Sequence, residues 1–305
     1  MRFRDFSMIV VIFLGAMIGL LTPQAAPYLE HVPFYSLMVS LYISFMPLKL
    51  GQVIATARSN VAGIIWFVIA RHFLMPSIVF ILFDLVAPEY ALAALLIAGA
   101  STAVTAPFIA YLLEADVGFT TIMTVSSSFI LPVSLPAIVL FWAGKAIDIP
   151  AAAMMFSLAQ VILIPVITVA ITQRYLPHLA AAVQRQGHFW GLCTMFLSIA
   201  AIFSFFSDDI LSSPTVVLGA LATSSAVAVI LTALGWLAAF RLSSNARLTF
   251  VICSVLLNLV LIVVLCKEFF GLREAITAIM YTVPFYATVL PLRAYTAAVA
   301  RRKNS

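Results

Sequence analysis

Ten long stretches of this chain run almost without charge, and only short polar connections separate them. They cover about 7–23, 34–50, 61–83, 90–113, 118–143, 150–172, 188–206, 214–240, 247–266 and 274–298. A helix needs about 20 apolar residues to cross the hydrocarbon of a bilayer. A barrel strand needs about ten, with apolar and polar residues alternating. These runs are continuously apolar and about twice that length, so they are expected to be helices. Only 9% of the residues are charged, against roughly 25% in soluble domains. The chain therefore reads as an all-α polytopic membrane protein. The first run lies where a signal peptide would. It has no small-residue cleavage site ahead of polar sequence and leads straight into further spans, so it is kept as a helix.

The net charge of +5 matters through its distribution. With both termini inside and ten crossings, the inside segments hold Arg2, Arg4, Lys49, Arg58, Arg174, Arg185, Arg241, Arg247, Arg293, Arg301, Arg302 and Lys303. The outside loops hold Lys145, Lys267 and Arg273. Positive residues collect on the cytoplasmic side, which places both termini in the cytoplasm, with the chain in an inner (plasma) membrane of bacterial type. The basic balance reflects topology and gives no reason to invoke nucleic acid; lipid is the expected surrounding partner. Cys193, Cys253 and Cys266 all fall in apolar segments, with no paired spacing, so a disulfide framework is not expected. No zinc pattern and no nucleotide-binding loop occurs, so neither a metal cofactor nor ATP-driven pumping is expected.

The longest cytoplasmic connection is 173–187. It falls between two sets of segments, and an odd number per half makes the second half enter the membrane from the opposite side. Related halves would then be inverted repeats, the arrangement common among secondary transporters. On that split, 1–172 holds the first five-helix repeat and 188–305 the remainder of the second. The second repeat begins with the segment 150–172, so the repeat boundary falls near 145–150.

Arg71 and His72 sit near the middle of the third segment. A charge at bilayer depth costs about 2.5–3.5 kcal/mol on insertion scales and is kept where it meets a cavity, a partner or a substrate. All eleven acidic residues lie near segment ends or in loops. The membrane interior thus carries one permanent charge, and it is positive. Its partner could be an acid from another chain, a lipid-facing groove, or backbone carbonyls freed by a helix break. His72 is adjacent and expected to face elsewhere, in a structural role.

The fourth segment supplies a break. Pro107 follows Ser101, Thr102 and Thr105, and proline removes one backbone donor and crowds the carbonyl four residues back. A proline-interrupted span with hydroxyls at mid-depth points to a transport site; an ordinary kink with hydroxyls bonded to their own helix is the plainer account. In the fifth segment Thr120, Thr124 and Ser127 or Ser128 share a face, where hydroxyls can glue helices or line a cavity. In the ninth, Ser254 and Asn258 share a face. Asn is costly in lipid and is expected to bond a neighbouring helix, and Cys253 reads as a packing residue.

These motifs resemble the bile acid–sodium symporter family. Phe45-Met46-Pro47-Leu48-Lys49-Leu50 is similar to its "MGLTL" end of helix 2, and His72-Phe73-Leu74-Met75-Pro76 to its helix 3 "QF-x-x-MP". Tyr111 to Thr124 resembles "YLAKGNVALSVTMT", and Ser126 to Pro136 resembles "SVSTLLAPLLTP". The likeness covers about 40–140; the second half matches by helix count and by Arg247 to Leu261. The resemblance implies ten helices in two inverted five-helix repeats. Helices 1, 2, 6 and 7 would form a panel, and helices 3–5 and 8–10 a core, with helices 4 and 9 broken and crossing. It also implies movement of organic anions with sodium.

The sodium ligands are degenerate by the same comparison. The Ser-Asn pair of helix 4 aligns with Ala106 and Pro107, the helix 9 Glu with Cys253 and its Gln with Leu257. Only Thr120 and Thr124 keep hydroxyls where helix 5 metal ligands are expected, and the helix 3 Gln of a second sodium site aligns with Arg71. A guanidinium would repel a sodium ion there. The expected function is a secondary transporter of a small organic anion, with weak or no sodium coupling. Arg71, Ser101, Thr102, Thr105, Pro107, Thr120, Thr124, Ser127, Ser128, Ser254 and Asn258 are the expected site residues. Arsenite-type efflux, a membrane enzyme built on His72 and a serine of the fifth segment, and a non-transporting sensor stay as alternatives. The oligomeric state is not readable.

Overall fold

The computed structural model describes residues 3–48, 61–144 and 150–303. Arg2, Lys49, Leu50, Arg58 and Lys145, and with Lys145 the expected repeat boundary, lie outside the described residues.

The described chain is helical, with no strand among the described residues. Its helices are α1 Phe3–Leu21, α2 Val32–Phe45, α3 Val61–Val86, α4 Ala91–Gly99, α5 Ala106–Leu112, α6 Val117–Ala143 and α7 Ala151–Tyr175. They continue as α8 Pro177–Phe205, α9 Ser207–Ser212, α10 Pro214–Ala238, α11 Ser244–Val255, α12 Leu259–Phe269, α13 Leu272–Met280 and α14 Thr282–Lys303. Among the described residues, six helical stretches are long and apolar enough to cross a membrane: α3, α6, α7, α8, α10 and the run Leu272–Thr296. Val10–Leu21, Val32–Phe45 and Pro88–Gly99 are shorter apolar helices. Phe13, Phe141, Val229 and Leu290 are each about 70% exposed. Apolar outward faces on apolar helices suit lipid rather than water. The chain is an integral membrane protein.

Three boundaries depart from the apolar segments. The expected connection 173–187 is mostly helical, because α7 runs to Tyr175 and α8 starts at Pro177 after a break at Leu176 alone. Apolarity reports membrane depth, whereas Ala, Gln and Arg keep the backbone helical in water as well; Pro177 opens α8 without losing a bond. The seventh segment, read as 188–206, is the last two thirds of this longer helix. The second segment, read to residue 50, ends as a helix at Phe45; Met46 keeps helical geometry and its bond to the Tyr42 carbonyl, and Pro47 after it has no N–H to extend the ladder.

Two compact units alternate along the chain. One comprises Met1–Lys49 and Phe156–Val216, the other Leu50–Met155 and Val217–Ser305. The first unit holds α1, α2, most of α7, α8 and α9. Gly15 and Gly19 of α1 pack closely on α8: a Cβ on Gly15 would come 3.2 Å from the Phe196 carbonyl oxygen, and one on Gly19 would press into the Ala200 carbonyl and come 2.7 Å from Phe203 Cβ. Small residues four apart let backbones approach this closely. Gln173 and Gln184 Nε2 donate to the Met46 carbonyl at 2.8 and 3.0 Å, closing the end of α2.

The second unit holds α3 to α6 and α10 to α14. Its centre is formed by two helices that stop and restart. After α4, Ala100 turns to extended geometry (φ −59°, ψ 153°), and α5 restarts with Pro107 in its first turn. After α11, Leu256 is extended (φ −85°, ψ 104°), and Asn258 caps α12 by accepting from Leu261 N–H at 3.3 Å. Each break exposes backbone groups that hydrocarbon cannot satisfy. The two breaks satisfy one another. Ala103 N–H donates to the Leu256 carbonyl at 2.8 Å and Asn258 N–H to the Ser101 carbonyl at 2.9 Å, so Thr102 and Leu257 face each other in an antiparallel bridge.

Candidate functional site

The paired breaks leave the last carbonyls of α4 and α11 pointing at neighbouring helices, and each set is met by side-chain donors. At α4 the donor is charged. Arg71 is fully buried; Nη1 donates to the Ala98 carbonyl, and Nη2 to the Ala100 carbonyl at 2.7 Å. A helix C-terminus carries roughly half a negative charge, so the guanidinium sits where a cation is favoured, bonded to carbonyls rather than to a carboxylate. At α11 the donors are neutral. Thr102 Oγ1 donates to the Cys253 carbonyl at 2.8 Å, and the Tyr281 hydroxyl to the Val255 carbonyl at 3.0 Å.

Arg71 reaches this position from a π-turn, Ala70–Leu74, inside α3. Pro76 has no N–H and its ring crowds the His72 carbonyl, and Met75 N–H reaches back to the Ala70 carbonyl instead. The extra residue per turn rotates the helix face. Arg71 and His72 are both buried and point to different neighbours, Arg71 to the end of α4 and His72 to α6.

His72 joins the same network. Its Nε2 lies 2.9 Å from Ser127 Oγ and its Nδ1 lies 3.2 Å from Ser134 Oγ, both on α6. Ser127 Oγ also accepts from Thr102 N–H at 2.9 Å. Ser127 and Ser134 can each donate or accept, so their hydroxyls satisfy the imidazole in either tautomer. Two buried atoms, Arg71 Nε and Ser101 Oγ, are left without a partner among the described residues.

The sequence-expected residues divide accordingly. Arg71, Ser101, Thr102, Ser127 and Asn258 meet at the crossing. Pro107 and Thr105 start α5, both half-buried, and Thr105 makes no capping bond through its side chain. Thr120, Thr124 and Ser128 donate to the Asp116, Thr120 and Thr124 carbonyls of their own helix turn, at 2.7, 2.9 and 3.0 Å. Ser254 likewise donates to the Phe250 carbonyl at 2.7 Å. Those four satisfy themselves. His72, Ser134 and Tyr281 were not singled out as site residues, and the structure adds them.

A family model described as the sodium bile acid symporter family matches residues 36–213. The chain belongs to the sodium bile acid symporter family. No curated protein matches the chain. As a member of this transporter family it carries its polar centre in one compact unit, where two broken helices cross and a buried arginine holds the end of one of them.

Proposed function

We propose that this protein is a secondary transporter of a small organic anion that works by alternating access and without sodium. The observation that carries the reading is the pair of bonds from Arg71 to the Ala98 and Ala100 carbonyls. Half-helix ends and unwound carbonyls are what coordinate sodium in transporters of this architecture. A guanidinium bonded to them supplies the positive charge permanently. A sodium ion about 4 Å away would be repelled by about 4 kcal/mol at an effective dielectric of 20, roughly three decades of affinity. Thr120 and Thr124, the remaining candidate metal ligands, already donate to their own helix.

The fixed charge is also what favours a negative substrate. Arg71 Nε–H and the Ser101 hydroxyl are the donors without a partner among the described residues, and Asn258 and Thr105 are the less buried polar groups at the breaks. We place the substrate's acceptor oxygens there. The ten crossings, the two inverted repeats and the cytoplasmic termini in an inner membrane complete the proposal. The membership of the two compact units supports it: one gathers segments 1, 2, 6 and 7, the other segments 3–5 and 8–10. An enzyme reading draws on the Ser127–His72 distance of 2.9 Å. It is weaker, because both groups are buried and Ser127 Oγ is already engaged by Thr102.

Uptake into proteoliposomes tests the proposal, with taurocholate and a panel of mono- and dicarboxylates as probes. Uptake of an anion that is the same with inward sodium, potassium or choline gradients is the expected result. Uptake that requires sodium, or no uptake of any anion, contradicts it.

A further inference from the structure

With a fixed guanidinium in place of sodium, the driving ion has to be held elsewhere, and among the described residues an imidazole, His72, is bonded into the crossing through both of its ring nitrogens. We infer that His72 is a proton-coupling site, so that one proton enters and leaves together with the anion. Proton coupling at His72 presupposes the organic-anion transporter proposed above.

The geometry suits a proton that comes and goes. Both ring nitrogens face hydroxyls, Ser127 at 2.9 Å and Ser134 at 3.2 Å, and a hydroxyl can donate or accept. In the neutral ring Ser127 donates to Nε2. In the imidazolium Nε2–H donates to Ser127 Oγ, which then accepts twice, from His72 and from Thr102 N–H. Its displaced hydrogen turns to the Met123 carbonyl one turn back, the same kind of bond that Ser128 makes to Thr124. Nδ1–H keeps Ser134 throughout. The bond that pins Thr102 at the crossing therefore survives in both states, and loading the proton costs no buried partner.

Charge explains why the proton and the anion would travel together. The charged and titratable neighbours are Arg71, the adjacent residue on α3, with Cys253 from α11 and Tyr281 from the α13–α14 junction facing Arg71; α6 presents hydroxyls. Arg71 and a protonated His72 are two cations side by side at bilayer depth, which is costly. An anion docked at Arg71 Nε and Ser101 offsets one of them. Each ligand then raises the affinity for the other by the same factor. For a monoanion the loaded site moves one negative and one positive charge, so net transport is electroneutral and driven by the pH difference.

The test uses the full-length protein in weakly buffered detergent, with the same carboxylate panel and taurocholate as probes. Thermal stability reports binding, and a pH indicator reports protons. The expected result is that a stabilising anion takes up protons on binding, up to one per protein as the pH of the series is lowered, and binds about tenfold tighter at the acid end. In His72→Gln, which keeps hydrogen-bonding capacity without a titrating ring, anion binding loses both the uptake and the pH dependence. Anion-induced stabilisation of the wild type without proton uptake, or equal uptake in His72→Gln, overturns proton coupling and leaves the transporter reading standing. If no probe stabilises the protein, the organic-anion reading falls as well. Should His72→Gln not fold, the wild-type proton count across that pH series still decides.

Discussion

Arg71 Nη2 lies 2.7 Å from the carbonyl oxygen of Ala100, the residue at which α4 stops and the chain turns extended. The relationship ties a buried cation to a helix break, and each needs the other. The carbonyls would be unpaired in hydrocarbon without a donor, and the guanidinium would be an uncompensated charge without acceptors.

Removing the guanidinium should therefore be expensive. Arg71→Met leaves the Ala98 and Ala100 carbonyls without their donor, and hydrogen bonds to charged groups contribute about 1.5–3 kcal/mol each. A loss of about 3–6 kcal/mol is expected, read as a large drop in melting temperature in detergent. Arg71→Lys keeps the charge but offers a point donor instead of a fork, and should fall between wild type and Arg71→Met.

The two serines of α6 that follow one another should behave differently. Ser127→Ala strips Thr102 N–H and His72 Nε2 of a partner at once, and an orphaned buried polar group costs about 1–3 kcal/mol. Ser128 only bonds back to its own helix, so Ser128→Ala should cost less than about 1 kcal/mol. Equal melting temperatures for the two variants would contradict the network.

Tyr281 is expected to be a stabilising donor rather than a reactive group. Tyr281→Phe removes the bond to the Val255 carbonyl and leaves it buried. The expected cost is about 1–3 kcal/mol, measured by chemical or thermal unfolding.

In the other unit the prediction concerns close packing. Gly19→Val would drive its side chain into the backbone of α8 at Ala200, and overpacking typically costs about 1–3 kcal/mol. On α8 itself, a Cβ on Gly191 meets nothing within 4 Å. Gly191→Ala should stabilise by about 0.5–1 kcal/mol through the helix backbone alone. Thermal melts of the two single variants check both signs.

Several of these features were legible in the sequence, and the reasons differ. The break at Ala100–Thr105 follows from Pro107, whereas the break at Leu256–Asn258 was expected only through the family resemblance, since no proline or glycine marks it. Arg71 stood out because a lone charge in an apolar run is costly. Its partners were not readable beyond the class of freed carbonyls, because Ala98 and Ala100 act through the backbone and carry no side-chain signature. His72 faces a different helix from Arg71, as neighbours on a helix must, but its two serine partners on α6 were not readable, because spacing does not say which helix packs against that face. Thr120, Thr124 and Ser128 read as a polar stripe from spacing alone. Spacing cannot tell a hydroxyl that bonds its own helix from one, like Ser127, that bonds across to another.

Sodium titration of thermal stability tests the built-in cation most directly, since it needs no knowledge of the substrate. Wild-type protein and Arg71→Gln would be melted in matched sodium, potassium and choline chloride. The wild type should show no sodium-specific stabilisation, while Arg71→Gln, with the carbonyls of Ala98 and Ala100 released, should gain one. A sodium-specific rise in the melting temperature of the wild type would contradict the account.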